Sequence, residues 1–315
     1  MYELVIIGGG PAGVAAGIYA ARKKIKTLLL TDTFGGQSLV SAEIENWIGT
    51  KSASGYDLAK MLEEHLRAQE GIEIVDGDLV EKVEKLDGGF KLKTKNGKEF
   101  ETKRILATSG SRRRHLAVPG GKEFDGRGVA YCATCDAPVF KDKVVAVVGG
   151  GNSGLEAVID LLPYASKIYL LHHRNSLKGD PVTQERIKKE PKVEIILNAE
   201  TQEIIGSDFV TSLKYEDKNS GEVKKLELGG IFVEIGSEPN VEYLDDLVKM
   251  NGYREIVIDH RTQKTSSPGI WAAGDATDVL YKQNNSSAGD AIKAVLNIHD
   301  EMTGQDRLTP RLTSL

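Results

Sequence analysis

The stretch "YELVIIGGGPAGVAAGIYAARKK", residues 2–24, decides the fold. Its apolar run over 2–8 has the length of a buried strand and ends in glycines, and the residues from Pro11 onward read as a helix built of small side chains. A second strand-like run, "KTLLLTD", follows at 26–32. Strand, helix and strand in that order make a βαβ unit, which implies a parallel sheet. At the turn between the first strand and the helix, Gly8, Gly10 and Gly13 have G-x-G-x-x-G spacing. Glycines there permit a tight turn and let a pyrophosphate approach the helix N-terminus. Asp32 stands 19 residues after Gly13, at the end of the second strand, where an acid accepts a hydrogen bond from an adenosine ribose.

The same order recurs at "KVVAVVG" (143–149), "GNSGLEAVIDLL" (151–162) and "SKIYLLHHR" (166–174), with Gly149, Gly151 and Gly154 at the same spacing. Two dinucleotide-fold cores therefore share one chain. Residues 77–106, with "GGF", "KNGK" and the alternating "FKLKT", read as antiparallel hairpins inserted in the first core, and "VTSLKYEDKNSGEVKKLEL" (210–228) reads as a matching hairpin in the second. The expected fold class is α/β: two dinucleotide-binding (Rossmann-like) domains, each a parallel sheet with helices plus antiparallel β insertions. "VPGG" (118–121) and "GSEPN" (236–240) are the turn-rich places where the chain is expected to pass between domains. Near the C-terminal end, "GIWAAGDAT" (269–277) is an apolar strand closing in Gly274 and Asp275.

At 315 residues, with 40% hydrophobic and 28% charged side chains, the chain is long enough for two domains. A formal net charge of -5 argues against nucleic acid as the main partner. The N-terminal stretch has Glu3 where a signal peptide carries basic residues, and its glycines interrupt it too often for a membrane span. The expectation is a cytoplasmic protein with no membrane partner.

The only two cysteines are Cys132 and Cys135, in "YCATCDAP" (131–138). By spacing alone such a pair is half of a zinc site, a catalytic disulfide or two buried thiols. The chain has no second cysteine pair and no His-x3-5-His spacing, so no metal is expected. In a cytosolic setting a lone pair suits a disulfide that cycles.

Taken together, "GGGPAG", "GGQ" (35–37), "EIENWIG" (43–49), "CATCD" (132–136), "GGGNSG" (149–154), "GIWAAGDAT" and "YKQNNSSAGDA" (281–291) resemble the low-molecular-weight thioredoxin reductases and the similar flavoprotein module of alkyl hydroperoxide reductase. The resemblance covers essentially the whole chain. It implies an FAD domain over 1–117 and 242–315, a pyridine-nucleotide and redox-disulfide domain over 118–241, and a homodimer. It places Gly8, Gly10, Gly13, Gln37, Asn46, Asp275 and Gln283 on FAD-contacting positions, Asp275 at the ribityl chain, with the helix beginning at "SSAGDA" directing its N-terminus at the flavin. It makes Cys132 and Cys135 a redox pair, Cys135 the sulfur nearer the flavin, and Asp136 the acid that handles the proton when the disulfide is reduced.

An ordinary NAD site has an acid where this chain has "HHRNSLK": Arg174 is 20 residues after Gly154, and His173, Arg174 and Lys178 suit a 2′-phosphate. NADPH is accordingly the expected donor. The family's usual pattern in NADPH users has arginine where His173 and Lys178 stand, and many such members carry alanine where this chain has Gly154. The resemblance thus also admits NADH or another donor. The expected activity is a thioredoxin reductase, passing electrons from NADPH through FAD and the Cys132–Cys135 disulfide to thioredoxin or a thioredoxin-like protein. The alternatives are a reductase of a peroxidase system or glutaredoxin-like carrier, and a flavin-bearing redox sensor.

Overall fold

A computed structural model describes residues 1–40, 44, 46–131 and 133–305. The chain divides into two units: Met1–Leu39, Glu43–Arg112 and Glu238–Leu315 form one, and Val40–Ala42 with Arg113–Ser237 form the other.

In the first unit, β1 (Leu4–Gly9) is apolar throughout because it is buried on both faces. Helix α1 (Pro11–Arg22) begins with proline, whose missing N–H is no loss in a first turn, and buries alanines and glycines that allow close packing. β2 (Thr27–Phe34) pairs parallel to β1. Helix α2 (Gly55–Arg67) is capped by Ser54, whose Oγ accepts from the Asp57 amide at 3.0 Å, and it leads to β3 (Ile72–Val75) beside β2. Then β4 (Val80–Leu86), β5 (Gly89–Thr94) and β6 (Glu99–Thr102) form an antiparallel sheet of their own, and β7 (Ile105–Ala107) returns to the parallel sheet next to β1. The chain leaves this unit through β8 (Ser111–Arg113).

The second unit starts its sheet with β9 (Val129–Ala130), followed by the single-turn helix α3 (Ala133–Asp136). The βαβ core is β10 (Val144–Val148), α4 (Asn152–Leu161) and β11 (Lys167–His172), continued by α5 (Pro181–Ile187) and β12 (Val193–Leu197). An antiparallel sheet of β13 (Ala199–Gly206), β14 (Val210–Asp217) and β15 (Glu222–Glu227) precedes β16 (Gly230–Val233), which rejoins the parallel sheet beside β10. The hairpin expected over 210–228 is β14–β15, and β13 adds a third strand that the turn residues did not announce. The chain returns through β17 (Ser237–Pro239), which pairs with β8, and ends with β18 (Ile270–Ala272) and the long helix α6 (Asn284–Met302).

The parallel sheets have the orders β18-β7-β1-β2-β3 and β12-β11-β10-β16-β9. In each, the strand before the glycine loop is central, with its successor on one side and a late strand on the other. In sheets of this kind nucleotides bind outside the carboxyl ends of the strands, at such a reversal of direction. Alternation along each central strand fills two cores. Leu4 and Ile6 pack with α1, α2 and α6, whereas Val5 and Ile7 face the layer containing Phe90 and Leu92. In the second unit, Val145 and Val147 face α4 and α5, while Ala146 and Val148 face Leu213 and Tyr215. The fold is therefore the α/β class expected, with a parallel sheet, helices and an antiparallel insertion in each unit. Among the described residues no helix is long and apolar enough to cross a membrane.

Candidate functional site

Each unit presents one glycine loop, and the two loops share a design. Gly8 has φ of +112° and lies so close to the end of β7 that a Cβ on it would be 2.5 Å from the Thr108 carbonyl oxygen. A Cβ on Gly13 would stand 1.8 Å from the Gly8 carbonyl oxygen. These two glycines are required for strand, turn and helix to close on one another. Gly10 differs: a Cβ there would meet nothing beyond its own helix and chain neighbours nearer than Gly36 Cα, at 4.0 Å. Gly10 is also the N-cap of α1 and brings no capping side chain, so the first amides of the helix are available to an anion.

The second loop repeats this. Gly149, at φ +134°, lies against the Glu234 carbonyl oxygen, 2.0 Å from where its Cβ would be, and Gly154 against the Gly149 carbonyl oxygen at 1.9 Å. Gly151 has open space and caps α4 without a side chain. Both loops therefore fit a dinucleotide phosphate by steric criteria: two glycines fold the loop and the middle one leaves room.

In the first unit, Asp32 is exposed near the end of β2, where the register with β1 is interrupted between Leu30, opposite Ile7, and Phe34, opposite Gly9. Gln37 donates from Nε2 to the Ser111 carbonyl and hydroxyl oxygens, both at 2.7 Å. Gln283 is the N-cap of α6 and forms a reciprocal capping box with Ser286. Its Oε1 accepts from Asn46 Nδ2 at 3.3 Å, and Asn285 Nδ2 donates to the Asn46 carbonyl at 2.7 Å. Ser287 Oγ donates to Asp275 at 3.1 Å, and burial raises the Asp275 pKa against the opposing effects of Ser287 and Lys282. Gly274, at φ +76°, approaches both Ser287 and Ala12. Thus Asn46, Gly274, Asp275 and Gln283 gather at the N-terminus of α6, next to the first turn of α1, while Asp32 lies at the sheet edge. Ser38, which donates to Asn284 at 3.2 Å, also belongs to this region and carried no sequence motif.

In the second unit the segment after β11 folds back over the glycine loop. The Lys178 amide donates to the Gly150 carbonyl at 2.7 Å, and the Asp180 amide donates to Asn152 Oδ1 at 2.7 Å. His173, Arg174 and Lys178 are all exposed there, and Arg174 Nε donates to His173 Nε2 at 3.2 Å. Strand register adds what residue counting missed. Ile7, before Gly8, pairs with Leu30, and Val148, before Gly149, pairs with Leu171. His173 therefore stands in the second unit where Asp32 stands in the first. His172 is buried behind it, and burial, helped by His173, Arg174 and Lys178, holds its pKa below the usual imidazole value.

Cys132 and the side chain of Cys135 lie outside the described residues; the backbone of Cys135 is in α3. Asp136 ends that helix, and burial raises its pKa against the pull of Arg113. Arg113 Nη1 also donates to Glu234, at 3.4 Å, and burial raises the Glu234 pKa to about 7. Neither Arg113 nor Glu234 falls in a recognisable motif. Among the described residues no group of three or more His, Cys, Asp or Glu gathers as a metal site.

Known proteins resemble this chain over nearly its whole length. The NADH dehydrogenase of Bacillus subtilis (strain 168) is 42% identical over 299 residues, which cover 95% of this chain and 58% of that protein. An alkyl hydroperoxide reductase component of Staphylococcus aureus (strain NCTC 8325 / PS 47) is also 42% identical over 299 residues, covering 95% of this chain and 59% of that protein. The chain thus spans less than two thirds of the length of these relatives. Among solved structures, the Lactococcus lactis thioredoxin reductase in its FR conformation matches with a TM-score of 0.86 at 34% identity, over 96% of this chain and 100% of that one. The thioredoxin reductase of T. acidophilum matches with a TM-score of 0.83 at 35% identity, over 96% and 99%. The family model for pyridine nucleotide-disulphide oxidoreductases matches residues 2–295, a span that includes both glycine loops and everything between them, and the chain belongs to that family.

Proposed function

We propose that the protein is an FAD-dependent disulfide reductase that takes electrons from NADPH and delivers them, through the Cys132–Cys135 pair, to a thioredoxin-like protein. The observation that carries this reading is the similarity to a thioredoxin reductase along the whole length of that chain. In the proposal FAD is held in the first unit and supplies the two-electron relay between nicotinamide and disulfide. Gly8, Gly10 and Gly13 receive its pyrophosphate at the N-terminus of α1, and Asp32 receives the adenosine ribose. Gln37, Asn46, Asp275 and Gln283 hold the remainder, where the partial positive end of α6 favours negative charge. In the second unit Gly149, Gly151 and Gly154 receive the pyridine nucleotide, and His173, Arg174 and Lys178 its 2′-phosphate. Asp136 keeps a proton available to the thiolate released when the disulfide opens, which its burial favours.

Replacing each cysteine tests this directly. Cys135→Ser and Cys132→Ser should each end steady turnover of a protein disulfide while the protein stays yellow with FAD. Normal protein-disulfide reduction by both variants would refute the reading. A second reading, service to a peroxidase system, is favoured by the identity to the alkyl hydroperoxide reductase component of Staphylococcus aureus. Comparing turnover with a thioredoxin and with a peroxidase partner separates the two.

A further inference from the structure

Glu234 is the first residue beyond β16, and its own carbonyl occupies the place a side chain on Gly149 would need. It therefore stands at the carboxyl edge of the second unit's sheet, between β10 and β16, where the strand order reverses. Its side chain is only 9% exposed and accepts from Arg113 Nη1 at 3.4 Å, across 121 residues of sequence. Asp136, at the end of α3, feels the same guanidinium. Helix α3 packs on α4, and the negative charges of Glu156 and Asp160 on α4 add to burial in disfavouring the ionised form of Glu234. One guanidinium thus acts on two partly buried carboxyl groups from different elements, and two further carboxylates add their negative charge.

We propose that Arg113 and Glu234 form a positioning pair that governs how firmly Asp136 holds its proton. The inference rests on the reading of Asp136 as the group that handles the proton of the redox pair. An ionised Glu234 offsets the charge of Arg113, so Asp136 loses that pull and keeps its proton more firmly. A protonated Glu234 leaves Arg113 acting on Asp136 alone, which drives Asp136 toward the carboxylate. Burial brings the titration of Glu234 up to about 7, so the exchange between these two situations falls in the neutral range. Ionisation of Glu234 on the basic side of that range therefore moves Asp136 toward its protonated form, the direction in which a released thiolate is served. Among the described residues, the charged groups that act on the pair are Asp136 from α3 and Glu156 and Asp160 from α4.

The test follows the carboxyl carbons of the holoprotein by NMR across pH, with Asp136 assigned from the signal lost in Asp136→Asn. In Glu234→Gln the titration of Asp136 should move to lower pH, and in Arg113→Met to higher pH. Glu234→Asp, which keeps the charge, should retain the direction of the wild type. Opposite movements in the two variants are the signature, because general loosening of the site would move both the same way. Movement in a common direction, or none, overturns the proposal. Turnover by Asp136→Asn with an unchanged pH profile would sink the role given to Asp136, while the NMR result would still report whether the coupling exists.

Discussion

Gly154 and Gly151 separate two roles within one loop. Gly154→Ala would put a methyl group 1.9 Å from the Gly149 carbonyl oxygen, so helix and strand must part. A cost of about 1–3 kcal/mol in stability is expected, visible as a lower Tm, together with weaker nucleotide binding. Gly151→Ala meets open space and an extended backbone. It should cost under about 1 kcal/mol yet still weaken nucleotide binding, and equal melting shifts for the two variants would contradict this division. Arg174→Ala should reduce the preference for NADPH over NADH roughly ten-fold, because a charge-assisted hydrogen bond to phosphate is worth about 1.5–3 kcal/mol. Since Arg174 is exposed, added salt should narrow the wild-type preference, and flavin-reduction titrations at two ionic strengths check both points. Glu234 gives a stability prediction with a definite sign. Its folded pKa of about 7 exceeds the ordinary 4.5, so between those values the folded state binds the extra proton and stability falls as pH rises. Glu234→Gln removes that slope. Its stability relative to wild type should rise from pH 5 to pH 8 by at most roughly 3 kcal/mol, seen as a rising relative melting temperature. The two glycine loops were legible in the sequence because sterics demand glycine at fixed spacing. The Arg113–Glu234 pair was not, because it is made by folding and leaves no local pattern.

Elements were legible wherever a local rule had no competitor. The run "LVIIGG" could only be a strand buried on both faces, and small residues after Pro11 could only pack as a close helix. The turn residues "DKNSGE" fixed the β14–β15 hairpin. By contrast, β13 pairs with β14 through a register interrupted twice, which alternation cannot display, and α3 is too short to show a period. The offset between Arg174 and His173 has the same origin, since strand pairing and not residue counting sets which side chain follows the acid's path. A test of how independently the elements carry stability lies in α2. Ser54→Ala removes the hydroxyl that accepts from the Asp57 amide, and it should cost about 1 kcal/mol. FAD content should not change, because Ser54 belongs to none of the residues assigned to the cofactor; loss of FAD at unchanged stability would contradict that assignment.

At the scale of the molecule, the chain repeats one plan: a parallel sheet whose order reverses at the glycine loop, helices on one face and an antiparallel sheet on the other. The repetition explains why two nucleotides are proposed. The difference between the copies, Asp32 in one and His173 in the other, explains why they are proposed to be different nucleotides. The proposed redox pair, Cys132 and Cys135, belongs to the second unit's segment of sequence, so the central claim of the proposal is that one protein stores electrons in both a flavin and a dithiol. An anaerobic reductive titration measures that store. The wild-type protein should take up about twice the reductant consumed by Cys132→Ser or Cys135→Ser, because the disulfide adds a second electron pair to that of the flavin. Equal uptake by wild type and both variants, with the flavin fully reduced in each, would contradict the account.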